Sequence, residues 1–338
     1  MPDSTSVNPP VKPPLKPLRI GTRASALAQW QAESIRAQLA ERDVAAELVL
    51  VRTAGDRDLQ TPLRSMAGGK GIFIKELEDA LLENRIDFAV HSMKDVPTEL
   101  PAGLLISAIA RRDDVRDVLV SRHGLSLDRL PPGARVGTSS LRRQAQLRHY
   151  RADLQMLDIR GNVGTRLAKL DRSDYDAIVL AKAGLDRLGM SARIVQTLST
   201  DVCLPAAGQG AIGIESRERD AAVLGVLGKI NHLETRIAVD AERTVLALLE
   251  GGCQVPAGIW AHVEGREFVI DACVLSADGS ESLRIRRVGS PHQWEDLARQ
   301  AAAALLDRGA ARMLIGPARD TSLTPDIVSD SLSDAREE

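Results

Sequence analysis

A chain of 338 residues with 44% apolar and 27% charged side chains has the make-up of a soluble globular protein of about two or three domains. The net charge of −2 argues against a protein that coats nucleic acid, and no run approaches the ~18 apolar residues of a membrane span. Aromatic residues are only 2%, so the core must be aliphatic, and Cys203, Cys253 and Cys273 are too few and too scattered for a disulfide framework or a zinc site, which fits a reducing, cytoplasmic setting.

Residues 1–17 carry six prolines and read as a disordered, extended tail, neither a signal peptide nor an Arg-rich transit peptide. Leu18 to Gly21 reads as a strand, leading through Arg23 and the natural N-cap Ser25 into an amphipathic helix through Leu27, Trp30, Ile35 and Leu39. Arg23 is therefore expected at the carboxyl end of a strand beside a helix N-terminus, where open α/β sheets bind ligands. Residues 47–53 form a second strand in which Leu48-Val49-Leu50-Val51 is expected to be a buried apolar run.

Gly68-Gly69-Lys70-Gly71 precedes a helix over 72–84. It is no P-loop: the glycine five positions before Gly69 is missing, and Gly71 stands where Ser or Thr would hold magnesium. A mobile glycine loop carrying Lys70 and Phe73 is expected instead. A third strand, 86–91, ends in Ser92-Met93-Lys94-Asp95-Val96-Pro97. The Lys–Asp pair repeats the position of Arg23 and is either a surface ion pair or a functional one. An apolar run, Leu104 to Ala110, then gives way to the charged segment 111–117, a first domain boundary.

A second strand–helix series comes next. Arg135-Val136-Gly137 leads to the N-cap cluster Thr138-Ser139-Ser140 and then Leu141-Arg142-Arg143. Residues 154–159 lead to Arg160-Gly161-Asn162, and the helix after them carries Arg166. Residues 175–181 lead to Lys182 and a short helix with Arg187. From Arg135 to Arg187 there are eleven Lys or Arg against six Asp. Such an excess at strand ends makes an anion site, because the two-pronged guanidinium suits carboxylates and phosphates. RNA is the weaker alternative, since aromatic stacking platforms are nearly missing.

Gly208 to Gly213 matches G-x-G-x-x-G, but Pro205 denies it a preceding strand, and Ile212 and Ile214 alternate like a strand where the motif needs a helix. It is read as a glycine-rich crossover back into the first lobe. A long helix over 233–249 is stopped by Gly251 and Gly252, and Cys253-Gln254-Val255-Pro256 comes after it, so one thiol is displayed at a rigid corner. A small buried hydrophobe is the plainer reading of that cysteine. Beyond it, 259–263, 267–275 and 283–288 alternate like an antiparallel meander, covered by a helix over 294–307. Residues 318–338 read as an acidic, disordered tail.

Five stretches, V-H-S-M-K-D-V-P (90–97), V-G-T-S-S-L-R-R (136–143), R-G-N-V-G-T-R-L (160–167), L-P-A-A-G-Q-G (204–210) and L-E-G-G-C-Q-V-P (249–256), stand in an order that resembles the porphobilinogen deaminase (hydroxymethylbilane synthase) family, from about Leu18 to Pro317. The resemblance implies an α/β fold of two lobes like type II periplasmic binding proteins plus a C-terminal α+β domain with a small antiparallel sheet. Domain 1 would be 18–112 with 208–230, domain 2 113–207 and domain 3 231–317.

The implied activity is a transferase that deaminates four porphobilinogen molecules and joins them head to tail on a covalent dipyrromethane primer, then hydrolyses the chain to hydroxymethylbilane. Carried over by motif, Cys253 holds the primer by a thioether and Asp95 is the catalytic carboxylate. Lys94, Asp95, Thr138, Ser140, Arg142, Arg143, Arg160 and Arg166 bind the cofactor. Arg23, Ser25, Arg160, Arg187 and Gln209 bind substrate. No metal, nucleic acid or membrane is implied, and a cytoplasmic monomer is expected. The chain departs from many relatives at Arg64-Ser65, where they place a lysine, and it is one residue longer there. A two-lobed solute-binding protein for small acids is the competing reading, which leaves Cys253 and the third domain without a purpose.

Overall fold

The computed structural model of the chain describes residues 16–52, 74–249 and 255–314. Lys70, Phe73, Arg64-Ser65, Cys253 and most of both tails lie outside them. Among the described residues the order is β1 (Leu18–Arg23), α1 (Ala26–Ala40), β2 (Ala46–Val51), α2 (Lys75–Leu82), β3 (Phe88–Ser92) and β4 (Leu104–Ile109). The chain then crosses to β5 (Asp117–Ser121), β6 (Arg135–Gly137), α3 (Leu141–Tyr150), β7 (Gln155–Leu157), α4 (Val163–Asp171), β8 (Ala177–Ala181), α5 (Lys182–Arg187) and β9 (Gln196–Thr197). It returns with β10 (Ile212–Arg217) and α6 (Ala221–Leu227). It ends in α7 (Leu233–Leu248), β11 (Ala257–Glu264), β12 (Glu267–Leu275), β13 (Ser282–Gly289), α8 (Trp294–Asp307) and α9 (Ala310–Leu314). No helix among these residues is long and apolar enough to cross a membrane.

The first sheet has the order β2-β1-β3-β10-β4 and the second β7-β6-β8-β5-β9. In each, three parallel strands lie beside one antiparallel strand that arrives from the other lobe: β10 between β3 and β4, and β5 between β8 and β9. Both lobes thus share one topology, the type II binding-protein arrangement expected from the sequence. Each crossover enters the opposite sheet as an interior strand, so the lobes are tied together twice by backbone hydrogen bonding.

Local chemistry accounts for the elements. The Ser25 hydroxyl caps α1 by accepting from the Ala28 amide at 3.3 Å, and the helix buries Ala28, Ala32, Ile35 and Leu39. That face meets Ile20, Phe88, Val90 and Ile214 in one apolar cluster, while Leu77 and Leu81 of α2 cover the opposite face of the sheet. In the C-terminal unit, α7 and α8 lie on one face of the β11-β12-β13 sheet around Ile259, Phe268, Ile270 and Leu305. The other face docks on the second lobe. Arg148 Nη1 donates to Ala277 O at 3.0 Å, and Arg284 donates to Thr200 O at 2.9 Å and Asp201 O at 3.0 Å.

Two expectations need correction. The run Leu48 to Val51 is not buried, because β2 is an edge strand: Leu50 is 55% exposed and only Val51 is fully covered. Asp117, read as the last residue of a charged boundary, opens a wholly buried strand, β5.

Candidate active site

In the first lobe, β3 runs out into a single 3₁₀ turn, Met93–Asp95. The preceding Ser92 hydroxyl accepts from Gln31 Nε2 of α1 at 2.8 Å, and Met93 is 1% exposed, so the turn is pinned on both sides of the sheet. Lys94 and Asp95 are left half-buried at the rim. Lys94 Nζ donates to Gln209 Oε1 at 3.4 Å.

Facing them, β6 delivers Thr138, which is buried, and Ser140, whose hydroxyl caps α3 by accepting from the Arg143 amide at 3.5 Å. The cap places Arg142 and Arg143 in the first helical turn. Both are buried around the carboxylate of Asp117. Arg142 Nη1 donates to Asp117 Oδ2 at 2.8 Å, and Arg143 donates to Oδ1 from Nη2 at 2.6 Å and from Nε at 3.1 Å. Gln209 Nε2 adds a fourth bond at 2.9 Å to Oδ1. Arg142 also donates to Leu204 O, and Arg143 to Val179 O at 3.1 Å. Only part of each guanidinium remains for a ligand, so these two arginines offer an anion charge more than free donors.

After β7, Arg160 is half-buried, and its Nη1 is buried with no hydrogen-bond partner among the described residues. Asn162 caps α4, and Arg166, on its first turn, donates from Nε to Gly161 O at 2.7 Å.

The electrostatics bind these groups into one neighbourhood. Loss of water, then the Arg143 guanidinium, pushes Lys94 down to about 8 against the pull of Asp95 and Asp117. Burial, then Arg143, pushes Arg166 down to about 10, with Asp95 opposing and Arg160 adding to the effect. Burial alone would raise Asp117, but Arg142 and Arg143 outweigh it and hold the carboxyl far below the usual range. Burial, with Asp117 beside it, pushes the Cys203 thiol up to about 12, so it is an inert core residue. Among the described residues the result is a crowd of cations around an internal counter-ion, Asp117, with the Asp95 carboxylate at the rim.

The other expected residues lie elsewhere. Arg187 is 8% exposed, donating from Nε to Asp113 at 2.8 Å and from Nη2 to Gly210 O at 2.7 Å, with its guanidinium 5.7 Å from the Trp30 ring centroid. It joins the second lobe to both crossovers and to α1. Ser25 spends its hydroxyl on the helix cap, and Arg23 is half-buried at the end of β1. Sequence reasoning missed Asp117, although an acid opening the apolar run Val118-Leu119-Val120 marks a buried charge in need of partners. It also missed Glu242 of α7, which is wholly buried. Glu242 accepts from Arg112 at 2.7 and 2.9 Å, from the Gly208 amide at 2.7 Å and from the Ala261 amide at 2.8 Å.

Residues 18–225 match the family described as porphobilinogen deaminase, dipyromethane cofactor binding domain, and 236–307 match its C-terminal domain. The chain belongs to the porphobilinogen deaminase family. It is 48% identical over 303 residues to a porphobilinogen deaminase of Pelobacter propionicus, covering 89% of this chain and 97% of the relative. Among solved structures it is similar to the methionine-binding protein MetQ (TM-score 0.41, 14% identity, 63% of this chain and 89% of that one). The VFT2 domain of Bordetella pertussis BvgS is comparable (TM-score 0.40, 14% identity, 63% and 85%).

The residues present fit the family's dipyrromethane. Its pyrrole rings carry carboxylates, and the buried, unsatisfied Nη1 of Arg160 is a donor that a carboxylate satisfies. Lys94 and Arg166, both held below their ordinary values by burial and then by the Arg143 cation, gain from an added anion.

Proposed function

We propose that the chain converts porphobilinogen into hydroxymethylbilane, releasing ammonia from four molecules and joining them head to tail. The dipyrromethane, when bound through a thioether to Cys253, supplies the pyrrole end from which the chain grows. Asp95 lies beside the reacting pyrroles and stabilises the positive charge that develops as ammonia leaves. Lys94, Thr138, Ser140, Arg142, Arg143, Arg160 and Arg166 hold the cofactor's carboxylates. Arg23, Ser25, Arg160, Arg187 and Gln209 hold those of the incoming substrate. The three units are 18–112 with 208–230, 113–207 and 231–317, and the enzyme acts as a cytoplasmic monomer without metal, nucleic acid or membrane.

The observation that carries this reading is the opposition across the lobes. Lys94 and Asp95 on one strand end lie within electrostatic reach of Arg143 and Arg166 on the others, and Asp95 is a half-buried carboxylate beside them. A carboxylate ~4 Å from a cation contributes about 4 kcal/mol at an effective dielectric of ~20. At roughly 1.4 kcal/mol per decade, that is on the order of a thousandfold in rate. Asp95→Asn is expected to slow single turnover by about that factor in protein whose intact mass shows the cofactor in place, while Asp95→Glu keeps part of the rate. Turnover of Asp95→Asn within a few-fold of wild type removes Asp95 from this role.

A further inference from the structure

The glycines of 208–213 are left unexplained by the chemistry of the site. In the fold they form the strap that carries the chain from the second lobe into β10. Gln209 N donates to Ala206 O at 2.9 Å and Ala211 N to Gly208 O at 3.1 Å, which makes two overlapping turns. The third residue of each turn is a glycine in the left-handed region, Gly208 at φ +73° and Gly210 at φ +86°.

The strap presses on main chain. A Cβ on Gly208 would lie 2.8 Å from Met93 Cβ, 3.0 Å from the Met93 carbonyl carbon and 3.1 Å from the Lys94 amide nitrogen. A Cβ on Gly210 would lie 2.7 Å from Asp113 O on the outgoing crossover. The Met93 amide donates to Ala211 O at 3.0 Å, so strap and turn are also hydrogen-bonded. The strap itself is fixed from several sides, through Gly208 N to Glu242, Gln209 Nε2 to Val115 O and Asp117, and Gly210 O to Arg187.

We propose that the Gly208–Gly210 strap is a positioning element for the reaction. An approach this close, open only to glycine, sets the height of the Met93–Asp95 turn, and with it the placing of the Asp95 carboxylate and the Lys94 ammonium against the arginines of the second lobe. The inference rests on the role assigned to Asp95 above. Gly213 provides a comparison within the same core. A Cβ there would meet Met93 Sδ at 2.0 Å and Cγ at 3.0 Å, the flexible part of the side chain rather than its backbone.

The test compares Gly208→Ala, Gly213→Ala and Asp95→Asn in full-length protein whose intact mass shows the cofactor. Both glycine variants are expected to melt at lower temperature. Gly208→Ala alone is expected to lose about ten- to a hundredfold in single-turnover rate, with KM moving less than kcat, because a misplacement near 1 Å carries losses of that size. Amide exchange at Met93 to Val96 should also speed up in Gly208→Ala and not in Gly213→Ala. Wild-type rate and exchange in Gly208→Ala, or an equal rate loss in Gly213→Ala, overturns the inference. Should Gly208→Ala fail to fold, Gly210→Ala pushes the strap toward Met93 from the Asp113 side, and an unchanged rate and exchange there overturns it equally. An Asp95→Asn enzyme of wild-type speed sinks the Asp95 assignment instead, which the exchange data identify separately.

Discussion

Asp117 offers the sharpest test of the electrostatic reading, through Asp117→Asn. The side chain is 0% exposed and takes four hydrogen bonds of 2.6 to 3.1 Å from Arg142, Arg143 and Gln209. Two guanidiniums at contact distance contribute about 4 kcal/mol each at an effective dielectric of ~20, and desolvation of the carboxylate offsets several kcal/mol of that. Asparagine keeps the shape, removes the charge and points an N–H₂ at groups that are themselves donors. The two arginines are then buried without a counter-ion, a change that costs about 3–5 kcal/mol. The assay is equilibrium urea unfolding at pH 7, read as a drop in midpoint at constant slope. The sign over pH comes from the lowered folded pKa: the contribution is full above the unfolded value near 3.8 and is lost only as pH falls toward the folded one, so the deficit stays constant from pH 7 to about 5. Adding Arg142→Met to Asp117→Asn should recover part of the loss, since it removes a charge that has become unpaired. A deficit below about 1 kcal/mol, or strict additivity in the double variant, would refute the claim that these charges form one buried unit.

Two further outcomes concern groups with shifted pKa values. In protein prepared without cofactor, Lys94 has a folded pKa of about 8 against 10.5 unfolded, so its ammonium burdens the folded state below pH 8 and the burden fades as pH rises to 10.5. Lys94→Met should therefore raise the melting temperature at pH 7 and lose that advantage by pH 10.5; a constant difference contradicts it. On the far side of β3, burial and then Glu215 push Glu78 up to about 7, with His91, 2.9 Å from Glu215, opposing. Its carboxylate costs the folded state as pH rises through 4.5 to 7, so Glu78→Gln should match wild type near pH 4.5 and exceed it by about 1–3 kcal/mol above pH 7, measured by denaturant titration.

Legibility in the sequence tracks how local each cause is. The bounds of β12 and α8 are legible to the residue, because turn signals bracket the strand and a period of 3.6 marks the helix, although β12 is buried on both faces where alternation is expected. The Ser25 cap and the Gly208 crossover are legible for the same reason: a hydroxyl or a glycine at a turn needs only its neighbours to explain it. β2 misleads because an apolar run does not say whether a strand is at the centre or the edge of a sheet, and Leu50 stands at the edge. Asp117 is hidden because its partners are 25, 26, 86 and 92 residues away, at Arg142, Arg143, Cys203 and Gln209. A charge of that kind has no local pattern, and only the fold assembles its counter-ions.

That assembly ties the site to the crossovers between the lobes. Asp113 and Asp117 lie on the outgoing crossover and Gln209 and Gly210 on the returning one, and these residues hold Arg187, Arg142, Arg143 and Lys94. The arginines are therefore fastened to the two crossover segments that join the lobes. Any rotation of one lobe against the other would lengthen or exchange some of these bonds and release cationic donors. Each ring added to the product brings further carboxylates, which are the natural replacements for Asp113 and Asp117 as acceptors. The two counter-ions, Asp117 buried and Asp113 exposed, thus hold the cations in place before substrate arrives, and the same contacts couple the charge offered to a ligand to the relative position of the lobes.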